Sequence, residues 1–433
     1  MTHRTSALHV PLLRPVLIAT FVIAAGATTF AGDWPQFRGP ARDGKSPEKG
    51  LLDQWPAEGP TLLWAVEDLG HGFGSVVVSG KMLYTTGLKG KDGHVFAYDL
   101  DGNPLWDKPY GPDWSGSRDG TRATPTIDDG RLYVLSAHGR VACLDAITGD
   151  EQWGVDTQKK FGARVLNWGM VESLLIVGDK VICTPGGKKA GMVALDKKTG
   201  ETVWVCRELT DKSGYCSPIL IERGGRQLIV TFTAAALVGV DAANGELLWR
   251  HPRKASYDIE AVSPVYENGR IYVTSGYGVG GDMLELAKDG KSVTAKWHDD
   301  KLDCQIGGVI LHKGHVYGAS DKSSGGDWIC LNLKTGEVAA ETRAVGKGSI
   351  TYADGMFYGY GENGQIGLIK ASPKDFGLVS SFKVPKGKRQ NWAHPTVANG
   401  RLYIRHGSAL MAFDIRSKSW KPATTRPADD ATE

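Results

Sequence analysis

Beyond residue 31 the apolar side chains come in short runs that alternate with polar ones, each run closed by glycine, asparagine or aspartate. Gly130-Arg-Leu-Tyr133-Val, Gly269-Arg-Ile-Tyr272-Val, Gly314-His-Val-Tyr317 and Gly400-Arg-Leu-Tyr403-Ile are such runs. A period of two sends successive side chains to opposite faces of a strand, and flanking turn residues join the strands as tight hairpins. No helical period interrupts them. The pattern predicts an all-β chain.

The runs are grouped by a longer repeat. Ala142-Cys-Leu-Asp145-Ala-Ile-Thr-Gly149-Asp-Glu-Gln-Trp153 returns as Val193-Ala-Leu-Asp196-Lys-Lys-Thr-Gly200-Glu-Thr-Val-Trp204 and as Val238-Gly-Val-Asp241-Ala-Ala-Asn-Gly245-Glu-Leu-Leu-Trp249. Weaker copies span Asp99 to Trp106, Leu284 to Trp297, Leu331 to Val338, Gly367 to Phe382 and Phe413 to Trp420. The aspartate can accept from nearby backbone N–H groups, the glycine supplies positive φ, and the tryptophan can cover the junction with the next unit. Upstream of each copy stands a second landmark, at Ser75, Thr124, Ser173, Ser217, Ser263, Gly308, Ser349 and His394. A period of about 40–50 residues with turn residues at constant offsets is the signature of propeller blades. The expectation is an all-β, eight-bladed β-propeller of four-stranded blades, with seven blades as the alternative because the Gly367 to Phe382 copy is degenerate.

Thr61-Leu-Leu-Trp64 reads as a fourth strand with no first three before it, and the last unit ends weakly at Ser417-Lys-Ser-Trp420. The segment around Trp64 is therefore expected to complete the last blade and remove the exposed sheet edges.

Composition then narrows the setting. Arg4 and Arg14, the apolar run Val16 to Ala27 and Thr29-Phe-Ala31 make residues 1–31 read as a cleaved signal peptide. No cysteine follows to take a lipid anchor. The protein is expected to be exported, periplasmic or secreted, with no transmembrane span after cleavage, and a monomer. Residues 32–60 carry Trp, Phe and Arg among Pro and Gly and read as an arm docked on the ring. Residues 61–420 form the propeller, and 421–433 a disordered tail. The formal charge of +3 loses two positives with the leader, so no nucleic-acid footprint is expected. Of six cysteines, Cys143, Cys330 and Cys183 read as small core residues, Cys304 as a loop residue, and Cys206 and Cys216 as placed to pair. No zinc spacing occurs. His312 and His315 sit on a hairpin turn and are expected to face solvent.

The Ala194 to Trp204 phrase resembles the repeat of the pyrroloquinoline-quinone (PQQ) type of β-propeller, over about residues 60–415. That family holds quinoprotein alcohol dehydrogenases and non-catalytic relatives such as an outer-membrane assembly lipoprotein. Trp34-Pro-Gln-Phe-Arg-Gly-Pro40 and Trp168-Gly-Met-Val-Glu-Ser173 with Thr184-Pro-Gly-Gly187 are similar to an exported subgroup of it. The dehydrogenase resemblance implies PQQ held with Ca²⁺ by Glu and Asn, an Asp base, and in many members a disulfide between adjacent cysteines stacked on the quinone. No Cys-Cys pair exists here, and the ligand set finds no residue-by-residue match. The repeat phrase itself is a turn-and-stack device that binds no quinone.

Equivalent positions of all blades converge on the central channel. Two residues before each landmark stand Phe73, Arg122, Val171, Tyr215, Ala261, Ile306, Lys347 and Trp392. One further back come Gly72, Thr121, Met170, Gly214, Glu260, Gln305, Gly346 and Asn391, with Glu172, His394, His71, Trp168 and Asp303 nearby. The candidate ligand-binding residues are Arg122, Trp168, Glu172, Tyr215, Glu260, Gln305, Lys347, Trp392 and His394, with no metal ligand assigned. Arg122 and Lys347 would supply positive charge, Trp168 and Trp392 flat stacking surfaces, and Glu172 or Glu260 a base or cation ligand. The leading expectation is a binding or scaffold module for an envelope protein, a glycan or a small polar ligand. A PQQ- and Ca²⁺-dependent dehydrogenase is the alternative. A hydrolase or lyase built on a rim carboxylate and His394 is a third, with no Ser-His-Asp order, metal motif or phosphate loop to support it.

Overall fold

The repeat phrase folds as its chemistry dictates. In a computed structural model describing residue 1 and residues 32–322 and 326–422, Asp196 Oδ1 accepts from the N–H groups of Lys198 (2.8 Å) and Thr199 (2.9 Å). Gly200 N–H donates back to the Asp196 carbonyl at 2.9 Å, with φ +72°. Asp145 and Gly149 form the same turn. All of the leader but residue 1, and the tail from residue 423 on, lie outside the described residues.

Each turn links the third and fourth strands of an antiparallel sheet, and eight such sheets form a ring. Blade 3, for example, is Leu175–Val177, Lys180–Cys183, Met192–Asp196 and Thr202–Cys206. Blade 7, the degenerate copy, is complete: Gly348–Ala353, Met356–Gly361, Gln365–Lys370 and Leu378–Lys383. The count is eight, not seven. Blade 8 takes its outer strand from the other end of the chain: Thr61–Val66 pairs antiparallel with Ala409–Asp414, Trp64 opposite Ala412.

The fourth-strand tryptophan joins one blade to the next. Trp153 packs on Gly200, where an added Cβ would lie 2.7 Å from Trp153 Cε3, and its indole N–H donates to the Lys197 carbonyl at 3.2 Å. Trp204 does the same to the Ala242 carbonyl, Trp297 to that of Leu333, and Trp64 to that of Leu100 in blade 1. Trp204 is buried at its junction, and Trp64, Trp153 and Trp297 are half-buried at theirs.

A second set of bonds joins the blades on the channel side, where the first strands have no sheet partner. His394 N–H donates to Ser75 Oγ (2.9 Å), Ser75 N–H to Thr124 Oγ1 (2.8 Å), Thr124 N–H to Ser173 Oγ (3.0 Å) and Ser173 N–H to Ser217 Oγ (3.0 Å). Ser263 Oγ continues to the Ser217 carbonyl and Ser349 Oγ to the Ala393 carbonyl. The landmark residues are thus a hydroxyl belt, broken at Gly308 and continued at His394 by its backbone N–H alone.

Residues 33–51 cross the end of the channel where the first strands finish. Trp34 pairs with Val78, the Pro35 carbonyl accepts from Ile127 N–H, and Lys45–Ser46 runs parallel to Gly348–Ala353. Glu48 accepts from the N–H groups of Asn399 and Gly400. Two guanidiniums are buried with this segment. Arg38, 2% exposed, donates to the Val309 carbonyl, and Arg42, 3% exposed, to those of Ser173 and Leu174. They satisfy inner-edge carbonyls that no strand reaches. Burial lowers both to about 10, so both stay charged at neutral pH.

Several expectations need correction. Cys206 and Cys216 do not pair; all six cysteines are free and buried. Cys206 belongs to the core between blades 3 and 4, Cys216 to that between blades 4 and 5. His312 does not face solvent freely: its ring lies 4.3 Å from that of Tyr352, and burial pushes it down to about 4. Glu172, 3% exposed, is turned into the wall, where it accepts from Thr184 N–H (2.8 Å) and Thr184 Oγ1 (3.3 Å). Burial raises it to about 8.

Two predictions follow from this packing. Gly130 and Gly200 share φ +72°, but a Cβ meets nothing within 4 Å at Gly130 and Trp153 at Gly200. Gly130→Ala should cost about 1 kcal/mol of left-handed strain, and Gly200→Ala about 1–3 kcal/mol more from overpacking, measured by denaturant unfolding. For Glu172 the raised pKa means the folded state keeps a proton that the unfolded chain releases above its ordinary 4.5. Stability should therefore fall as pH rises from about 4.5 to 8 and level off above it. Glu172→Gln should flatten that part of the stability profile at little cost at pH 7.

Candidate functional site

A period of two decides which residues of each first-strand entry reach the channel. The landmark residue and the one two before it share a face; those between and beyond point into the wall. All eight residues at the second position, from Phe73 through Arg122, Val171, Tyr215, Ala261, Ile306 and Lys347 to Trp392, line one central cavity of about 420 Å³. Among landmark residues, Thr124, Ser173, Ser217 and His394 line it too. Glu172 and Glu260 fall on the other face and are absent from the lining. Glu260 is fully buried, 4.0 Å from the Arg253 guanidinium, and burial raises its pKa. Neither is a base or cation ligand in this cavity. Gln305 has wall parity yet reaches the cavity edge, donating to Tyr277 Oη at 2.7 Å. Of the nearby residues, Trp168 lines the cavity. Asp303 is buried against Gly278 and Gly280 N–H, and His71 pairs with Asp119 at 3.1 Å.

Aromatic rings make up much of the wall, and most of the charged groups are cationic. Phe73 and Trp392 stack with centroids 4.4 Å apart. The Arg122 guanidinium lies 5.3 Å from the Phe73 ring and 5.8 Å from Trp114, and Arg118 5.6 Å from Trp392. Trp168 contacts Tyr215 and Tyr257, which in turn meets Tyr277. Arg122 is lowered by burial to about 10 and remains a cation. Glu362 faces Lys347 at 3.5 Å and accepts from the Trp392 indole N–H at 3.0 Å. The lining thus holds three cations, Arg118, Arg122 and Lys347, against the single carboxylate Glu362. His394, 5% exposed and pushed down to about 3 by desolvation, is neutral there. Phe37 of the crossing segment meets its ring edge-on at 5.0 Å and forms part of the deep end.

Sequence reasoning missed Phe37, Arg118, Tyr277 and Glu362. A signal existed for the last two: in an antiparallel blade the loop between second and third strands opens on the same end as the entry to the first. The backbone takes positive φ, +67° at Tyr277, in such a loop, and +54° at Arg118 and +61° at Tyr257 in connections between blades. Such residues persist where surrounding structure fixes a site.

The arrangement suits a flat, anionic molecule: rings to stack on, fixed cations to pair with. It does not suit a quinone–calcium centre. Calcium takes six to eight oxygens, whereas the cavity offers one carboxylate, already bonded to Lys347 and Trp392. Among the described residues no three His, Cys, Asp or Glu side chains are grouped to hold an ion. No helix among them is long and apolar enough to cross a membrane.

Two kinds of known protein stand among those this chain is similar to. The chain is 29% identical over 181 residues to quinoprotein alcohol dehydrogenase PedH of Pseudomonas putida, covering 39% of this chain and 28% of that one. It is 27% identical over 289 residues to the outer membrane protein assembly factor BamB of Burkholderia pseudomallei, covering 62% and 66%. The chain thus spans about a quarter of the curated dehydrogenases it matches. Among solved structures, BamB from Moraxella catarrhalis superposes with TM-score 0.59 at 18% identity, over 82% of this chain and 99% of that one. Quinohemoprotein alcohol dehydrogenase ADHIIG from Pseudomonas putida HK5 gives 0.67 at 14%, over 92% and 82%. At these identities the superpositions speak for the fold alone. The family model described as outer membrane protein assembly factor BamB matches residues 56–167 and 91–342, more than half the chain, and with eight such blades the protein belongs to the PQQ-repeat β-propeller family.

Proposed function

We propose that this protein is an exported, monomeric binding propeller of the cell envelope, periplasmic or secreted, whose central cavity takes an organic anion with a flat face. That anion is either free or the tip of an envelope protein or glycan. The observation that carries this reading is the cavity lining: three cations to one carboxylate, set among stacked rings contributed by equivalent positions of the ring. The envelope setting rests on the likeness to BamB, whose name places it in outer membrane protein assembly, and on the leader-like first 31 residues.

A PQQ- and Ca²⁺-dependent alcohol dehydrogenase is the second reading, favoured by the names of the quinoprotein relatives. The oxygen donors in the cavity count against it.

PQQ, a flat polycarboxylate, serves as a probe for both. Calorimetric titration should show binding that Ca²⁺ leaves unchanged, with no dye-coupled alcohol oxidation. Arg122→Ala should weaken that binding by about tenfold, the worth of one charge-assisted bond. Tight, Ca²⁺-dependent binding with turnover would replace the binding-module reading by the dehydrogenase. Indifference to PQQ and to every other flat aromatic carboxylate would remove the ligand-binding claim altogether.

A further inference from the structure

The hydroxyl belt has a property that its structural role does not use up. Thr124 Oγ1, Ser173 Oγ and Ser217 Oγ each accept a backbone N–H from the preceding blade, so each oxygen is held in place. Among the described residues none of the three gives its own proton to a protein acceptor, and all three line the cavity. A hydroxyl held by an incoming donor and left with an outgoing proton is oriented to donate to whatever lies before it.

Arg38 adds charge at the break in the belt. A Cβ on Gly308 would overlap Arg38 Nη1 and lie 2.8 Å from His394 Cε1. The guanidinium therefore stands where blade 6 lacks a side chain. Its Nη2 is bonded to the Val309 and Asp43 carbonyls (2.5 and 3.2 Å), but Nε and Nη1 are buried with no partner. Arg42 stands behind Ser173, donating to its carbonyl at 2.7 Å. Glu172, the carboxyl whose charge acts on Arg42, is turned to Thr184, and Asp43, the carboxylate whose charge acts on Arg38, is paired with Lys45 at 2.9 Å. A buried cation with idle N–H groups is costly unless something accepts from it.

We propose that the deep end of the cavity is an oxyanion subsite, formed by the Thr124, Ser173 and Ser217 hydroxyls with the buried charge of Arg38 behind the lining, for a carboxylate or phosphate at the inner tip of the ligand. It rests on the proposed function and fixes the ligand's orientation: anionic group inward, flat face outward between Phe73, Trp392 and Trp168.

The test is calorimetry on the intact protein with benzoate, phenyl phosphate and the neutral isostere benzamide, joined to a crystal structure of the benzoate complex. At least one anion should bind about tenfold or more tightly than benzamide, and which one does so identifies the group. The carboxylate should sit among the three hydroxyls. Ser217→Ala should remove most of that preference while changing benzamide affinity less than about twofold. Should that variant not fold, having lost the acceptor for Ser173 N–H, the wild-type complex still decides. A carboxylate found at Arg118, Arg122 or Lys347 with the ring inward, or a preference that survives in Ser217→Ala, overturns the subsite and leaves the binding module standing. Failure of all three probes to bind at millimolar concentration overturns both.

Discussion

A ring of sheets has one face too many until it closes, and here everything depends on the pairing of Thr61–Val66 with Ala409–Asp414. Each blade buries a face against the next, so the last apolar face is covered only when the two ends of the chain meet. Trp64 then does for the junction of blades 8 and 1 what Trp153 and Trp204 do elsewhere. This pairing spans almost the whole chain, a contact of the highest order, and such contacts form late because the intervening loop must be closed first. The segment ahead of the strand is thereby brought to the ring, where Trp34, Arg38 and Arg42 find partners on blades 1, 6 and 3.

Closure also separates structural from functional duty. Tryptophan–glycine contacts hold the blades together near the rim, and backbone amides donating to hydroxyls hold them at the axis. Between these, each entry to a first strand presents one parity of side chains to the wall and the other to the cavity. The wall parity carries Glu172, Glu260 and Asn391, all buried. The cavity parity ranges from Ala261 to Arg122 and Trp392 without disturbing the ring. A fold built this way can change its ligand by changing eight positions and keep its blades intact, which is why family membership says little about chemistry.

That division explains what was legible in the sequence. The eight units, the four-stranded blade and the completing strand at Trp64 all come from repetition, which multiplies a weak local signal. Repetition also brings two rows of eight residues to the channel, without telling which row faces the cavity. Glu172 and Glu260 lie on the wall parity, which their acidity does not reveal. Cys206 and Cys216, close in sequence, belong to different inter-blade cores, a distance that chain spacing does not reveal. Phe37 and Arg38 lie in a segment with no second copy for comparison. Arg118, Tyr257 and Tyr277 sit on irregular loops whose positive φ no pattern of apolar residues announces.

The crossing segment gives the propeller a direction. With residues 33–51 spread over one end of the axis and bonded to blades 1, 2, 3, 6, 7 and 8, the ring is a cup with a single aperture, not a pipe. For a ligand of the kind proposed, traffic through it would be last in, first out. A molecule seated deep would leave only after whatever followed it had gone, and a bulky tip resting on Trp168, Tyr257 and Tyr277 would act as a stopper on anything beneath.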